Sequence, residues 1–456
     1  MKHTFAITPR VIAHLGEDLI KNESIALVEL VKNSYDAQAS FCEVEFIFEG
    51  NELSQITITD DGIGMDLDTI ENVWLVIGTD NKKKQLLHPS LGRLPLGEKG
   101  IGRLGVHKLG KKIHLRTHKA EHDEVDIEID WSKLENAHSI DDFPIQVTEQ
   151  EKSFLSTPHG TKITITDLKG EWNRRKLRNI YRDLASLNSP FNKRTDSFVV
   201  KVKSNTNVFE GLPPIEDILK VAMYRGHCVI DGDELKDFCY QFIPWNNLTN
   251  IQGREIRNLS EEDKFLKRRK DSVTSRTRSK IVLEDFNLSD YKIGKIVLDF
   301  YIFEKDTAVF SFMNMERTIL NNYLRENSGV RVYRDGVRIY DYGEKDSDWL
   351  SLDLNRLKRA GDNISNNIII GSVGISRRDS TDLKEKTNRE GFIENEAYFA
   401  FVDAVTYVLD LITRYRNTDK RRLINVYKKD KRVIEPVLSD LSSAVEIVKD
   451  KVSDEK

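Results

Sequence analysis

Apolar and polar residues change their spacing along the chain in a way that predicts helices first and strands afterwards. Residues 9–37 have apolar positions at helical spacing, and Asn22 stands where it can cap a helix running from Ser24 to Ala37. Strict alternation follows over residues 43–48 and 54–60, separated by a short polar segment that contains a glycine. This second pattern predicts a β-hairpin.

The same alternation predicts more strands, at residues 111–116, 125–129 and 161–167. The first part of the chain therefore mixes helices with a partly hairpin-linked sheet, an α+β arrangement. A later region has strands and helices of its own, and the last sixty residues have helical spacing with almost no glycine or proline. We therefore predict domains at 1–204 and 205–395 and a C-terminal helical segment at 396–456, which can begin a coiled coil.

Composition narrows the class of protein. The chain has 456 residues, of which 32% are charged and 39% hydrophobic, with a net charge of −4. This balance is typical of a folded protein, and it gives no overall attraction to nucleic acid or to anionic membranes. Three widely separated cysteines argue against a disulfide framework, and no apolar run is long enough for a signal peptide or a membrane span. We expect a cytoplasmic protein that does not bind membranes.

A polar stripe marks the predicted helix from Ser24 to Ala37, which is otherwise apolar on nearly every side. Glu29, Asn33 and Asp36 occupy positions i, i+4 and i+7, within an arc of roughly 60°. Such a stripe on a buried helix is unfavourable unless it meets a ligand, a metal ion or water. An amide oxygen suits Mg²⁺, and a carboxylate one turn away can activate a water molecule. A solvated polar face is the alternative interpretation.

The second predicted hairpin strand ends in an aspartate. Asp60 has the same parity as Ile56 and Ile58, so it points inward, where a carboxylate needs a hydrogen-bond donor such as the amine of adenine. Gly62 and Gly64 follow and allow a tight turn close to a ring system. An ordinary Asp-Gly turn explains the same residues.

A glycine-rich segment runs from Gly97 to Gly105 with the spacing G-x-x-G-x-G-x-x-G. Its backbone N–H groups can form an anion-binding nest, and Lys99 and Arg103 add positive charge. No apolar strand precedes it, which disfavours a dinucleotide-binding Rossmann fold, and it lacks the Gly-Lys-Ser/Thr ending of a P-loop. A flexible linker remains the alternative. Further along, Thr161 shares a strand face with Ile163 and Ile165, so its hydroxyl faces inward and can act near Asp60.

In this order the motifs resemble the ATP-binding fold shared by DNA gyrase, the ninety-kilodalton heat-shock chaperones, histidine kinases and MutL (the GHKL superfamily). Its E-x-x-x-N-x-x-D-A helix matches Glu29 to Ala37, and its D-x-G-x-G turn matches Asp60 to Gly64. The glycine-rich lid and the Gly-Thr pair are matched by Gly97 to Gly105 and by Gly160-Thr161. The resemblance implies a Bergerat-type ATP-binding α/β sandwich, a second transducer-like α/β domain and C-terminal helices.

The resemblance also implies roles for individual residues. Glu29 is expected to be the general base, Asn33 the ligand of Mg²⁺, and Asp60 the acceptor for the adenine amine, supported by Thr161. The remaining residues expected to contact ATP, mostly in the turn and the lid, are Asp36, Gly62, Gly64, Met65, Lys99, Gly100, Ile101, Gly102, Arg103, Leu104 and Gly105. Together these imply a Mg²⁺-dependent ATPase in which lid closure and charge stabilisation support phosphoryl transfer.

Within the superfamily the chain is most similar to the hydrolysing branch of gyrase, MutL and microrchidia ATPases. Their second domain sends a lysine to the terminal phosphate, and Lys386 is the first candidate here, with Arg389 second; a solvated charged loop is the alternative. The branch generally works as ATP-gated dimers, so residues 1–20 are expected to exchange between two copies. A kinase is disfavoured because only 28 residues precede Glu29.

The target of such a clamp stays open at the level of sequence. Residues 264–280 form a strongly basic insert, which suits salt-dependent DNA binding and is equally typical of a solvated mobile loop. The first hypothesis is a DNA-acting clamp ATPase in bacterial genome maintenance or defence. The second is a chaperone-like ATPase with a protein client, and the third is a protein kinase.

Overall fold

The computed structural model describes residues 22–77, 105–136, 145–151, 158–187, 198–272, 280–345, 347–358, 363–386 and 391–453, with single positions 11, 20, 139, 143, 189 and 191. The chain forms two compact units, Met1–Leu212 with Gly336–Arg338, and Pro213–Asp335 with Ile339–Lys456. The domain boundaries predicted from the sequence, at residues 204 and 395, are not tested by this division and stay predictions. None of the helices in the described part of the chain has both the length and the apolar character needed to cross a membrane.

The first unit is built on a seven-stranded sheet with the order β5-β4-β3-β6-β2-β1-β7. Its strands are β1 (Phe41–Glu49), β2 (Glu52–Asp60), β3 (Gly110–His118), β4 (Glu124–Asp130), β5 (Gln146–Gln150), β6 (Gly160–Leu168) and β7 (Val199–Ser204). All neighbouring strands are antiparallel except β1 and β7, which are parallel. The predicted hairpin is confirmed as β1–β2, and the later predicted strands are confirmed as β3, β4 and β6.

Helices cover this sheet. They are α1 (Glu23–Asp36), α2 (Leu67–Thr69, continued by a π-helical turn at Ile70–Trp74), α3 (Val106–Leu109) and α4 (Arg174–Ala185), with a 3₁₀ segment at Trp131–Asn136. The side chain of Asn22 caps α1 by accepting a hydrogen bond from the N–H of Ile25 at 2.9 Å. α1 packs against the sheet and against α3 and α4, and its apolar residues are buried because they face these elements.

The second unit has its own seven-stranded mixed sheet, with the order β10-β9-β8-β13-β16-β14-β15. The strands are β8 (Tyr224–Asp231), β9 (Glu234–Phe242), β10 (Arg254–Ile256), β13 (Ile296–Ile302), β14 (Gly329–Arg334), β15 (Val337–Ile339) and β16 (Ile369–Ile375). A separate two-stranded sheet pairs β11 (Lys267–Ser272) with β12 (Lys280–Asp285). The helices are α5 (Ile215–Lys220), α6 (Thr307–Phe310), α7 (Arg317–Asn327), α8 (Leu352–Lys358) and α9 (Glu396–Ser453), and 3₁₀ turns lie at Glu261–Lys264, Leu288–Asp290 and Asn366–Ile368.

The C-terminal segment is one helix of 58 residues, α9, where the sequence predicted several helices. Buried polar groups hold its first half on the sheet of the second unit. Asp419 is fully buried and accepts hydrogen bonds from Tyr240 Oη and Arg254 Nε, both at 2.9 Å. Because removing one member of a buried ionic group leaves an uncompensated charge, this contact fixes α9 in one position along the sheet. The mixed α+β fold, with a second sheet and a C-terminal helix, agrees with the fold class expected from the sequence.

Candidate active site

Asp60 lies at the end of β2, on the strand face that also carries the buried residues Ile56 and Ile58. Its carboxylate is only 6% exposed and accepts hydrogen bonds from Ser34 Oγ at 2.7 Å and from the N–H of Gly62 at 2.9 Å. Burial raises the pKa of Asp60 to about 6, although these hydrogen bonds act in the opposite direction. A carboxylate held in this way is a strong acceptor in an environment that excludes most water.

The turn after β2 approaches its neighbours so closely that only glycine fits at two positions. A Cβ on Gly62 would lie 2.8 Å from the carbonyl oxygen of Ala37, and one on Gly64 would lie 1.8 Å from the carbonyl oxygen of His118. Gly64 also has a φ of +66°, a conformation that residues with a side chain rarely adopt. The turn is therefore pressed against the end of α1 on one side and against the end of β3 on the other.

A buried threonine that the sequence reasoning missed joins this turn to β6. Thr117 Oγ1 accepts a hydrogen bond from the N–H of Met65 at 2.9 Å and lies 3.1 Å from Thr161 Oγ1 and 3.2 Å from the carbonyl oxygen of Gly160. Thr161 is paired in register with Asp60 across β6 and β2. The alternation of side chains along β3 could have identified Thr117, because it shares a strand face with the buried residues Ile113 and Leu115.

Asp61, which follows Asp60 in the chain, has a different structural role. Asp61 Oδ1 accepts hydrogen bonds from the backbone N–H groups of Ser40 at 2.8 Å and Phe41 at 2.9 Å. Burial by itself would raise the pKa of Asp61, but the hydrogen bonds from Phe41 and Ser40 outweigh burial and lower it. Asp61 therefore fixes the start of β1, while Asp60 faces the interior.

The polar stripe of α1 lies partly in the core. Glu29 is 5% exposed, and its Oε1 accepts a hydrogen bond from Lys32 Nζ at 3.3 Å. Asn33 and Asp36 are half-buried. Ser34, which the sequence reasoning also missed, is buried and links α1 to Asp60. The helix thus contributes a buried carboxylate, an amide one turn later and a hydroxyl bonded to the second carboxylate.

These residues have the chemistry that Mg²⁺ and a purine nucleotide require. The amide of Asn33 is an oxygen donor of the type that Mg²⁺ prefers, and the carboxylate of Glu29 lies one helical turn away, where it can accept a proton from water. Asp60 is an ionisable acceptor whose burial raises its pKa, a perturbation that clusters at functional sites. Together the buried carboxylates and the amide fit a site for a ligand that brings hydrogen-bond donors and a cation.

Most of the predicted lid lies outside the described residues. This applies to Gly97, Lys99, Gly100, Ile101, Gly102, Arg103 and Leu104, and also to residues 1–10 and 12–19. Gly105 is described and directly precedes α3, where a Cβ would lie 2.6 Å from Ile20 Cδ1. The predicted contacts of the lid with phosphate stay predictions.

Lys386 belongs to the second unit and lies in a loop with a well-defined base. Its N–H donates to the carbonyl oxygen of Gly391 at 2.9 Å, and its Nζ forms an exposed ion pair with Glu394 at 3.2 Å. Arg389, the second candidate for the residue that reaches the terminal phosphate, lies outside the described residues. A catalytic role for Lys386 therefore stays a prediction.

The buried guanidinium of Arg334, at the end of β14, organises the base of this loop. Arg334 Nη1 donates to Glu385 Oε1 at 2.9 Å, and Nη2 donates to the carbonyl oxygens of Ser380, at 3.1 Å, and Leu383. The same guanidinium stacks over the ring of Phe392, 5.1 Å from its centroid. The loop therefore rests on a planar side chain that has three acceptors and an aromatic partner.

The basic insert has acidic partners that the sequence alone did not reveal. Among its described side chains, Lys267 pairs with Glu262 at 2.7 Å and Arg268 with Glu284 at 2.6 Å. Arg269 Nε also donates to Asp410 on α9 at 2.8 Å. Acidic partners, two of them near in the chain and one on α9, thus compensate the charges of these three cations.

Comparison with known protein families gives a match within the first unit. Residues 21–161 match the family model described as Histidine kinase-, DNA gyrase B-, and HSP90-like ATPase. The match supports a GHKL-type ATPase domain. The matched range contains Glu29, Asn33, Asp60 and Thr161. No match was found among the curated proteins.

A GHKL-type domain binds ATP, and the match therefore supports ATP binding and an ATPase that works as a conformational switch. Domains of this type usually bind Mg²⁺ with the nucleotide and often dimerise. The family also includes kinases, so the match by itself does not separate hydrolysis from transfer to protein.

Proposed function

We propose that this protein is a Mg²⁺-dependent ATP hydrolase of the GHKL type. The observation that carries the proposal is a pair of buried carboxylates, Glu29 on α1 and Asp60 at the end of β2, of which Asp60 is hydrogen-bonded to Ser34 of α1. One carboxylate is suited to activating water and the other to binding the base of the nucleotide. Their placement on neighbouring core elements gives each a fixed orientation.

The roles of the residues follow from their chemistry. Asp60 accepts the amine of adenine, and Thr161, supported by Thr117, contributes a hydroxyl beside it. Glu29 orients a water molecule and takes its proton, and its contact with Lys32 Nζ limits the directions in which the carboxylate can turn. Asn33 holds Mg²⁺, which when bound neutralises charge on the phosphates. Asp36, one turn further on, supports the same face of α1.

The finer proposal places the chain near MutL and microrchidia ATPases. ATP binding would close the lid between Gly97 and Gly105, join two copies through residues 1–20 and bring Lys386 to the terminal phosphate. We propose DNA as the target of the resulting clamp, in genome maintenance or defence. The contacts of Arg334 with Ser380, Leu383 and Glu385 support the role of Lys386, because they fix the chain directly before this lysine.

The decisive experiment measures turnover and binding separately in the full chain. Phosphate release is followed with Mg²⁺ or with EDTA, and binding of a non-hydrolysable ATP analogue is followed by calorimetry. We expect Glu29→Gln to bind the analogue within a few-fold of wild type and to lose roughly 10²-fold or more in turnover, the scale of general-base catalysis. Asp60→Asn should lose binding itself.

Glu23→Gln provides the matched control, because Glu23 lies on the same helix and pairs with Lys176 at 2.7 Å, away from Glu29. Its turnover should stay close to wild type. Wild-type turnover in Glu29→Gln would remove the base assignment, and a wild-type chain that binds no adenine nucleotide would overturn the whole proposal. Transfer of radiolabel from ATP to protein, with no release of phosphate, would identify a kinase instead.

A further inference from the structure

Strand β14 carries two buried arginines, and only one of them has partners. Arg334 donates to Glu385 and to two backbone carbonyl oxygens, and it stacks over Phe392, as described above. Arg331 is also only 6% exposed, yet its guanidinium has no hydrogen-bond or ion-pair partner in the part of the chain that the structure describes. Because an odd number of positions separates them, the two arginines lie on opposite faces of the sheet.

A second buried polar group lies next to Arg331. Ser372 on β16 is directly opposite Arg331 in the parallel ladder, so both side chains lie on the same face of the sheet. Ser372 is 3% exposed, and none of the described residues bonds to its hydroxyl. Gly343 packs against the stem of the arginine, since a Cβ there would lie 2.7 Å from Arg331 Cγ. A guanidinium and a hydroxyl are therefore neighbours in the second unit, both withdrawn from solvent and both without a partner among the described side chains.

The acidic residue in the same ladder does not compensate Arg331. Asp299 on β13 is directly opposite Ser372, and its Oδ1 is hydrogen-bonded to His227 Nδ1 at 2.7 Å. This hydrogen bond raises the pKa of His227, so the charge of Asp299 acts on the histidine. A buried guanidinium without an acceptor is unfavourable. The described part of the chain therefore lacks the group that would stabilise Arg331.

We propose that Arg331 and Ser372 bind a phosphate group, either free phosphate or the terminal group of a small phosphomonoester. A guanidinium can donate to two phosphate oxygens at once, and the serine hydroxyl can donate to a third. A carboxylate has only two oxygens, which the guanidinium alone would occupy. The burial of both side chains favours a compact anion over the backbone of a polymer, because a bulky ligand cannot reach groups that are 6% and 3% exposed.

This site goes beyond the proposed function and does not rest on it. It is formed by residues of the second unit and involves neither Glu29, Asp60 nor Lys386. The two proposals therefore fail separately. A chain that hydrolyses ATP but binds no phosphate at Arg331 would remove only this site, and a chain that binds phosphate but no ATP would remove only the ATPase.

Equilibrium dialysis of the full chain against radiolabelled inorganic phosphate, at constant ionic strength, measures binding directly. Arg331→Met should bind phosphate at least about 10-fold more weakly than wild type, since a hydrogen bond to a charged group contributes at least that factor. Ser372→Ala should bind about 3-fold more weakly, the scale of a neutral hydrogen bond. Asp60→Asn should bind phosphate as wild type does, which separates this site from the proposed nucleotide site.

Arg325→Met is the matched control, because it removes the same charge from an arginine of α7 whose side chain is 62% exposed. Its affinity for phosphate should stay within about 2-fold of wild type, since exposed charges are screened by salt.

Competing anions identify the group that binds. Acetate should displace labelled phosphate at least about 10-fold less well than unlabelled phosphate does, because its two oxygens leave the hydroxyl of Ser372 unpaired. Displacement by phenyl phosphate would show that a terminal phosphate group is accepted, and its failure would restrict the site to the free anion. Acetate that competes as well as phosphate would overturn the assignment.

Urea unfolding in phosphate-free buffer distinguishes a binding residue from a structural one. Arg331→Met should unfold at the wild-type urea midpoint or above it, because the substitution removes an unpaired buried charge. Arg334→Met, the same substitution on the same strand, should unfold at lower urea. Added phosphate should raise the midpoint of wild type and leave that of Arg331→Met unchanged.

Three results would each overturn the inference. The first is undiminished phosphate binding by Arg331→Met, and the second is an equal loss of binding in Arg331→Met and Arg325→Met. The third is a midpoint of Arg331→Met below wild type in the absence of phosphate, which would assign Arg331 a structural role like that of Arg334.

Discussion

The two regions that we propose for nucleotide chemistry differ in how their charged groups are held. Glu29 and Asp60, in the first unit, are 5% and 6% exposed and are bonded to neighbouring side chains and backbone. Lys386, in the second unit, is exposed and pairs with an exposed glutamate, and the buried charge lies behind it at Arg334. In the first region the functional groups themselves are fixed by burial, whereas in the second only the support of the loop is fixed.

This difference matters because buried and exposed charges have different energetic consequences. An exposed ion pair contributes about 0–1 kcal/mol, while a buried charge without its partner costs several kcal/mol. Substitutions at the buried positions should therefore have large effects, and substitutions at the exposed pair should have small ones. The four predictions that follow test this contrast from the largest expected effect to the smallest.

Asp60→Asn should remove a pH-dependent component of stability. Burial raises the folded-state pKa of Asp60 to about 6, above its ordinary value, so ionisation between about pH 4 and pH 6 destabilises the folded protein, by at most about 3 kcal/mol. The component is absent below the unfolded pKa and fully present above pH 6. Asparagine is neutral throughout, and the hydroxyl of Ser34 can rotate to accept from it.

The measurement is urea unfolding of both chains at pH 4.5 and pH 7.5. The stability of Asp60→Asn relative to wild type should rise with pH. The same comparison for Asp61→Asn should have the opposite sign, because hydrogen bonds lower the pKa of Asp61 despite its burial. A flat difference for Asp60→Asn would contradict the burial of its charge.

Arg334→Met should destabilise the second unit by about 2–3 kcal/mol. The substitution leaves the carbonyl oxygens of Ser380 and Leu383 and the half-buried carboxylate of Glu385 without their donor. Denaturant unfolding measures the change. If the loop acts on nucleotide, turnover should fall more than the affinity for ATP does, and Arg334→Lys should restore stability only in part because lysine lacks the planar fork.

Thr117→Val should weaken nucleotide binding by about 10-fold, equivalent to 1–2 kcal/mol, since it keeps the shape and removes the hydroxyl that accepts from Met65 and contacts Thr161. Calorimetry with the non-hydrolysable analogue measures the change. Thr117→Ser retains the hydroxyl and serves as the control. Wild-type affinity in Thr117→Val would show that the link between the turn and β6 has no part in binding.

Glu394→Gln should change the free energy of unfolding by less than about 1 kcal/mol, because the Lys386–Glu394 pair is exposed on both sides. Phosphate release should change by less than about 3-fold. A larger loss of stability would contradict the contrast between the two regions, since the exposed ion pair would then contribute as much to the free energy of unfolding as a buried one.

Local patterns predicted much of the first unit. Alternation predicted β1, β2, β3, β4 and β6 to within a few residues, and helical spacing predicted α1 from Ser24 where the helix begins at Glu23. The alternation along β2 also predicted that the side chain of Asp60 faces the interior. These predictions succeed because a strand with one buried face and a helix with a buried stripe impose their period directly on the sequence.

Contacts between distant segments were not predictable in the same way. Thr117 and Ser34 are ordinary residues in their own segments, and they gain importance only because β3, β6 and α1 converge on Asp60. The ion pairs of the basic insert were not predictable for a related reason. Its partner Asp410 is 141 residues away in the chain, and no local pattern reveals such a pairing.

By itself, the sequence determined the order of the motifs, the period of each element and the set of candidate residues for a nucleotide site, because these depend on neighbours within a few positions. Tertiary structure decided which of the charges are buried, which are neutralised and which remain available to a partner. The physical reason is that the energy of a charge depends on solvent and on groups brought close by folding, and both are properties of the packed chain.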